Sequence, residues 1–125
     1  GDRAIEMYVE GQNPNIGMRN VHALKDGGAK SIGGGRSAFL VYMHQFPAKI
    51  AALVRTGDTY TFVPAQSDHC EAKAATNDCL DRDLYLISKN KRRVRIRFRR
   101  HISALEEVNR IMHLADEPGR RPRRL

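Results

Sequence analysis

The sequence predicts an all-β fold, a β-sandwich with one C-terminal α-helix and a disordered basic tail. Three observations predict it. Short apolar segments of strand length recur between turn signals, two pairs of them are joined by hairpin-type turns, and one late stretch shows helical periodicity. At 125 residues the chain fits one domain, large enough to fold around its own core without staples. With no Trp and only 6% aromatic residues, that core must be mostly aliphatic.

The elements follow in order. Ile5, Met7 and Val9 alternate with Glu6, Tyr8 and Glu10, the pattern of a half-buried strand. Gly11-Gln12-Asn13-Pro14-Asn15 breaks it, and Val21 to Leu24 ends at the turn Lys25-Asp26-Gly27-Gly28. Ala29-Lys30-Ser31-Ile32 runs into Gly33-Gly34-Gly35, and Phe39 to Met43 is the next apolar stretch. Ile50 to Arg55 and Tyr60 to Val63 flank Thr56-Gly57-Asp58-Thr59, the clearest hairpin. Ala65 to Asp81 is polar and small and reads as a long loop. Leu84 to Ser88 and Val94 to Phe98 flank Lys89-Asn90-Lys91, a second hairpin. A helix over residues 103–115 has Ser103 and Glu106 as a capping box, and Leu105, Val108, Met112 and Ala115 at helical spacing. Pro118-Gly119 ends it. The predicted domain covers residues 1–116; residues 117–125, with Arg120, Arg121, Arg123 and Arg124, have nothing to bury.

Charge is unevenly placed. Residues 1–88 hold nine Lys/Arg against ten Asp/Glu, whereas residues 89–125 hold thirteen against four. The whole excess of +8 thus comes from the C-terminal end, which attracts phosphate, anionic lipid or acidic protein. No segment approaches the roughly 20 apolar residues of a membrane span. Residues 1–10 lack the basic start and apolar middle of a secretory signal, so a cytoplasmic setting is expected. Cys70 and Cys79 read as reduced thiols; a loop disulfide, or a weak metal site with His69 and Asp78, are the alternatives. No cofactor and no metal are expected.

Two stretches are candidates for binding. In the first, Val94, Ile96 and Phe98 alternate with Arg95, Arg97 and Arg99, which places the arginines on the wet face of a strand. Arg92, Arg93 and Arg100 extend this basic patch. Guanidinium groups in a row suit phosphates, while an edge strand protected by charge is the plainer reading. Phe98 is the only aromatic residue of that strand and its phase is inward, so base stacking has no support there. The second stretch is Gly33-Gly34-Gly35-Arg36-Ser37. Its glycines permit positive φ and bring backbone N–H groups near an anion, with Arg36 and Ser37 adding a charge and a hydroxyl. A tight turn between strands is the plainer reading here.

Ser31-Ile32-Gly33-Gly34-Gly35-Arg36-Ser37, followed by a short strand and a loop leading into a hairpin, resembles the forkhead-associated (FHA) domain, of the FHA/SMAD-like sandwich type. That family is an eleven-stranded β-sandwich that binds phosphothreonine peptides through its loops, with Gly-Arg after an early strand and Ser-Arg-x-His-Ala further on. The second motif falls on Ala48-Lys49-Ile50-Ala51-Ala52. The resemblance implies that Arg36 and Lys49 take the family's basic positions and that Gly34, Gly35 and Ser37 line the ligand. It also departs from the family. Ala48 stands at the phosphate-binding Ser, Ala51 at the structural His, and Asn77-Asp78 lacks the Gly of the later Asn-Gly-Thr loop.

The histidines at 22, 44, 69, 101 and 113 form no catalytic pattern with carboxylates or nucleophiles, so no enzyme is expected. Two functions remain. One is a signalling module that binds a phosphothreonine or acidic peptide through its loops. The other is a charge-driven binder of nucleic acid, nucleotide or anionic membrane through Arg92–Arg100 and the tail.

Overall fold

In a computed structural model that describes residues 3–13, 20–102 and 104–115, the chain is a β-sandwich followed by one helix. Strands β1 (Ala4–Val9), β2 (Val21–Ala23), β7 (Asp83–Ile87) and β8 (Arg93–Arg100) make one sheet, ordered β2-β1-β8-β7. Strands β3 (Ala29–Gly33), β4 (Phe39–Leu40), β5 (Ala51–Thr56) and β6 (Thr59–Pro64) make the other, ordered β4-β3-β5-β6. The β3–β4 pair is parallel and the other pairs are antiparallel. Helix α1 spans Ala104–Ala115.

The alternation read from the sequence sets the core. Ile5, Met7 and Val9 of β1 are buried, as are Leu84 and Leu86 of β7 and Val94, Ile96 and Phe98 of β8. Ile32, Phe39, Ala51, Leu53, Tyr60 and Phe62 face them from the second sheet, within one connected cluster. Phe39 and Phe98 join the sheets edge to face, with ring centroids 5.2 Å apart.

The stretch Phe39 to Met43 departs from expectation, since only Phe39–Leu40 is strand. Side-chain amides close the outer edge of this edge strand. Asn20 Oδ1 accepts the Leu40 N–H at 2.6 Å, while the Leu40 carbonyl accepts from Gln12 Nε2 at 2.9 Å and Asn20 Nδ2 at 3.0 Å. The expected loop from Ala65 to Asp81 is irregular, with one 3₁₀ turn at Ser67–His69. It guards two open edges. Thr76 and Phe62 exchange both backbone bonds along β6, and Cys70 and Glu71 bridge to Leu86 and Tyr85 along β7. A protected edge does not invite pairing with another chain. The Ser103 capping box and the basic tail lie outside the described residues.

Truncating Phe98 to Ala empties the contact shared by both sheets. Urea denaturation should show a loss of about 3–5 kcal/mol; a loss under about 1 kcal/mol would contradict a shared core.

Candidate functional site

The β3–β5 register pairs Ile32 with Ala51, so the segment leaving β3 and the segment entering β5 lie at one end of the sheet. There they bind each other. The Gly34 N–H donates to the Pro47 carbonyl and the Ile50 N–H to the Ile32 carbonyl, each at 2.9 Å. Ser37 Oγ donates to the Gly34 carbonyl at 2.8 Å and accepts the Lys49 N–H at 2.9 Å. Gln66 braces the pair from after β6, its Nε2 reaching the Ala48 carbonyl at 3.0 Å and the Lys49 carbonyl at 3.3 Å.

Close approach explains the first two glycines. A Cβ on Gly34 would overlap the Phe46 carbonyl oxygen, and one on Gly33, at φ +145°, would stand 2.7 Å from that of Pro47. The second loop is also strained, because His44, Gln45 and Lys49 hold φ of 60°, 54° and 55°. Left-handed backbone costs an L-residue roughly 1–2 kcal/mol. Such strain persists where surrounding contacts over-determine it, and it concentrates at ligand-holding loops.

The predicted ligand residues divide into two groups. Ser37 is buried with its hydroxyl committed to both loops, and the Gly34 amide is held by Pro47. Both groups are spent on joining the two loops. Arg36 and Lys49 are exposed, and among the described residues neither pairs with a carboxylate. Gly35 is exposed at φ +61°, and neither its amide nor that of Arg36 has a partner among the described residues. Two free cations and two free N–H groups thus sit on one rigid double loop.

The arginine strand behaves differently. β8 lies between β1 and β7, so the reading of a protected edge strand is wrong for it. Arg93, Arg95, Arg97 and Arg99 do line the outer face, but each meets acid. Arg93 makes a bidentate pair with Glu71 at 2.8 and 3.0 Å, with its guanidinium 3.4 Å above the Tyr85 ring. Arg95 lies 3.7 Å from Glu10 and 3.6 Å from Asp83; Arg97 lies 3.2 Å from Asp83; Arg99 lies 2.6 Å from Glu6. The hydrogen bonds from Arg93 hold the Glu71 carboxyl below its usual range, and Glu10 and then Asp83 raise the Arg95 guanidinium. Four arginines stand against four carboxylates, so this face carries no local excess of charge.

Arg92 and Arg100 do not extend that row. Arg92 precedes β8 in the turn, and Arg100 shares the inward phase of Phe98, its guanidinium reaching towards the Tyr60 ring of the other sheet at 5.7 Å. The face also holds aromatics that the β8 sequence alone does not show. Tyr8 and Tyr85 arrive from the neighbouring strands, opposite Arg97 and Arg95. With Asp83, Arg95, Arg97 and Arg99, Tyr8 lines an open depression of about 300 Å³.

Cys70 and Cys79 are both buried and unbridged. Cys70 Sγ lies 3.5 Å from the Ile50 carbonyl, and His69 Nδ1 lies 2.6 Å from that of Ile87. No three His, Cys, Asp or Glu side chains gather to hold a metal among the described residues. Burial raises the Cys70 thiol and pushes Cys79 up to about 11.

Two outcomes follow from this geometry. Ser37→Ala leaves the Lys49 N–H without its acceptor and should cost about 1–3 kcal/mol in urea titrations. Because the Cys79 thiol is raised in the folded chain, its contribution is complete below the ordinary thiol range and is lost as pH climbs towards about 11. Stability measured against pH should therefore fall across that alkaline window, and Cys79→Ser should flatten the fall.

Comparison with family models, with curated proteins and with solved structures finds no match to this chain.

Proposed function

We propose that this chain is a non-catalytic interaction module that binds a phosphorylated or acidic peptide through the loops at Gly33–Ser37 and Phe46–Lys49. One observation carries the reading: the free cations Arg36 and Lys49 stand on a braced, strained double loop, while every outward arginine of β8 is matched by a carboxylate. A guanidinium and an ammonium beside unpaired N–H groups suit a phosphate or carboxylate. The resemblance to the forkhead-associated family supports the same loops, since Arg36 and Lys49 match its basic positions.

The departures shape the proposal. Eight strands are present among the described residues against the family's eleven, and Ala48 brings no hydroxyl to the site. Recognition then rests on charge and backbone, with less power to demand phosphothreonine over an acidic side chain. Binding of nucleic acid, nucleotide or anionic membrane through β8 has weaker support, because that face is charge-balanced. Peptide signalling in the cytoplasm is the setting this proposal assigns.

Amide NMR with a phosphothreonine peptide library and its unphosphorylated twin tests the proposal. Shifts should cluster at residues 33–37, 46–49 and Gln66. Arg36→Ala should weaken binding by roughly tenfold to a hundredfold, the value of a charged hydrogen bond. Lys49→Gly relieves a left-handed lysine, so stability should stay within about 1 kcal/mol while affinity falls. Unchanged affinity in Arg36→Ala would sink the proposal. Shifts confined to Arg92–Arg100 that fade with salt would favour the charge-driven reading.

A further inference from the structure

The end of the sandwich that carries the double loop also carries the turn between β7 and β8. A chain of hydrogen bonds places them together. Gln66 reaches the Ala48 and Lys49 carbonyls, and His69 Nδ1 lies 2.6 Å from the carbonyl of Ile87, the last residue of β7. The 3₁₀ turn at Ser67–His69 therefore crosses from one sheet to the other at this end. Lys73 secures the crossing, its Nζ donating to the Ser67 and Cys70 carbonyls at 2.5 and 2.9 Å.

The β7–β8 turn repeats the construction of the double loop. Ser88 is fully buried, and its hydroxyl accepts the Asn90 N–H at 3.2 Å and the Arg92 N–H at 3.0 Å. The Ser88 N–H donates to the Arg92 carbonyl at 2.9 Å, and its carbonyl accepts the Lys91 N–H at 3.0 Å. Lys91 holds φ 64°, much as Lys49 holds 55°. Gly or Asn would sit more easily at either position; a lysine there accepts backbone strain and presents an ammonium. Lys89, Lys91 and Arg92 are exposed, and among the described residues none of them pairs with a carboxylate. Arg93, held by Glu71, begins the balanced outer face.

We propose that Lys89, Lys91 and Arg92 form a second anion subsite, which takes a further acidic or phosphorylated residue of the peptide held by Arg36 and Lys49. This inference rests on the peptide reading of the double loop and adds what the rest of the ligand must look like. Stacked sheets lie about 10 Å apart, and the three-residue 3₁₀ turn adds about 6 Å. Roughly four or five extended residues, at about 3.3 Å each, then separate the two anions. Asp68 is exposed on the crossing between them and has no cation partner among the described residues. It repels an acidic residue in the middle of the ligand. The pattern selected is anion, uncharged spacer, anion, and a continuous acidic run is disfavoured.

Fluorescence anisotropy of the full chain with phosphothreonine peptides, at about 0.15 M salt to screen distant charges, tests the subsite. One peptide has no second anion. Others carry it about four or five residues away on either side, as glutamate or as phosphoserine, or only about two residues away. The distant anion, on one side, should tighten binding about threefold to tenfold, the value of exposed ion pairs. Lys89→Gln, Lys91→Asn and Arg92→Gln together should erase that gain and leave the singly anionic peptide as it was, since Asn tolerates the left-handed position. Asp68→Asn should improve the peptide with the near anion. A distant anion that adds nothing would overturn the second subsite, as would a gain that survives the triple variant or one that the near anion equals. In those cases, binding that still needs Arg36 keeps the double loop. Binding of both peptides that ignores Arg36→Ala would remove the double-loop reading, and this inference with it.

Discussion

The antiparallel ladder between β1 and β8 is the constraint on which the rest of the structure depends. It unites Ile5–Val9 with Ile96–Arg100 in the middle of a sheet, joining the two ends of the sandwich sequence. Its inward face supplies Met7, Val9, Ile96 and Phe98 to the core, and Phe98 reaches Phe39 across the gap. Its outward face sets Glu6 beside Arg99, 93 residues apart in the chain. One register thus decides both what is buried and which charges cancel. A slip by one residue would send the arginines inward, so the apolar and ionic patterns reinforce each other. Exposed ion pairs add little stability singly; here their larger effect is to keep a dense row of arginines from repelling itself.

The same logic of pairing creates the candidate site. β3 and β5 run antiparallel, so the loop after one and the loop before the other must meet at the same end. Gly33 and Gly34 let the backbones touch, and the buried Ser37 hydroxyl fastens them. What remains exposed is the pair of cations that structure does not require. The division between Ser37 and Arg36, adjacent in sequence, is one of role: the first holds the loops together and the second faces outward.

Strand identity was legible because apolar alternation is local. Ile5, Met7 and Val9, or Val94, Ile96 and Phe98, declare their inward face without reference to any other segment. The hairpin at Gly57-Asp58 is equally local, as is the helical period of α1. Long-range partners were not legible. Nothing near β8 shows that Glu6, Glu10, Glu71 and Asp83 will stand among its arginines, or that Tyr8 and Tyr85 will flank them. The closing of the outer edge of β4 has the same origin, since the amides that meet Leu40 come from Gln12 and Asn20. At the loops, only the resemblance paired Arg36 with Lys49, and the commitment of Ser37 and Gly34 to the scaffold depends on how closely two backbones approach.

Charge must then be counted by place rather than by sequence interval. The formal excess of +8 remains, but the outer face of the β1–β8 sheet contributes none of it. The uncompensated cations of the described chain include Arg36 and Lys49 on the double loop, while Arg120, Arg121, Arg123 and Arg124 add four more by sequence. A diffuse positive field speeds the encounter with an anionic ligand and is weakened by salt. Residence depends instead on short, fixed contacts, and those require a rigid frame. The double loop has such a frame, because its strained backbone is held by Ser37 and Gln66. Under the proposed reading the basic end of the chain would govern how often an acidic partner arrives, and Arg36 with Lys49 how long it stays.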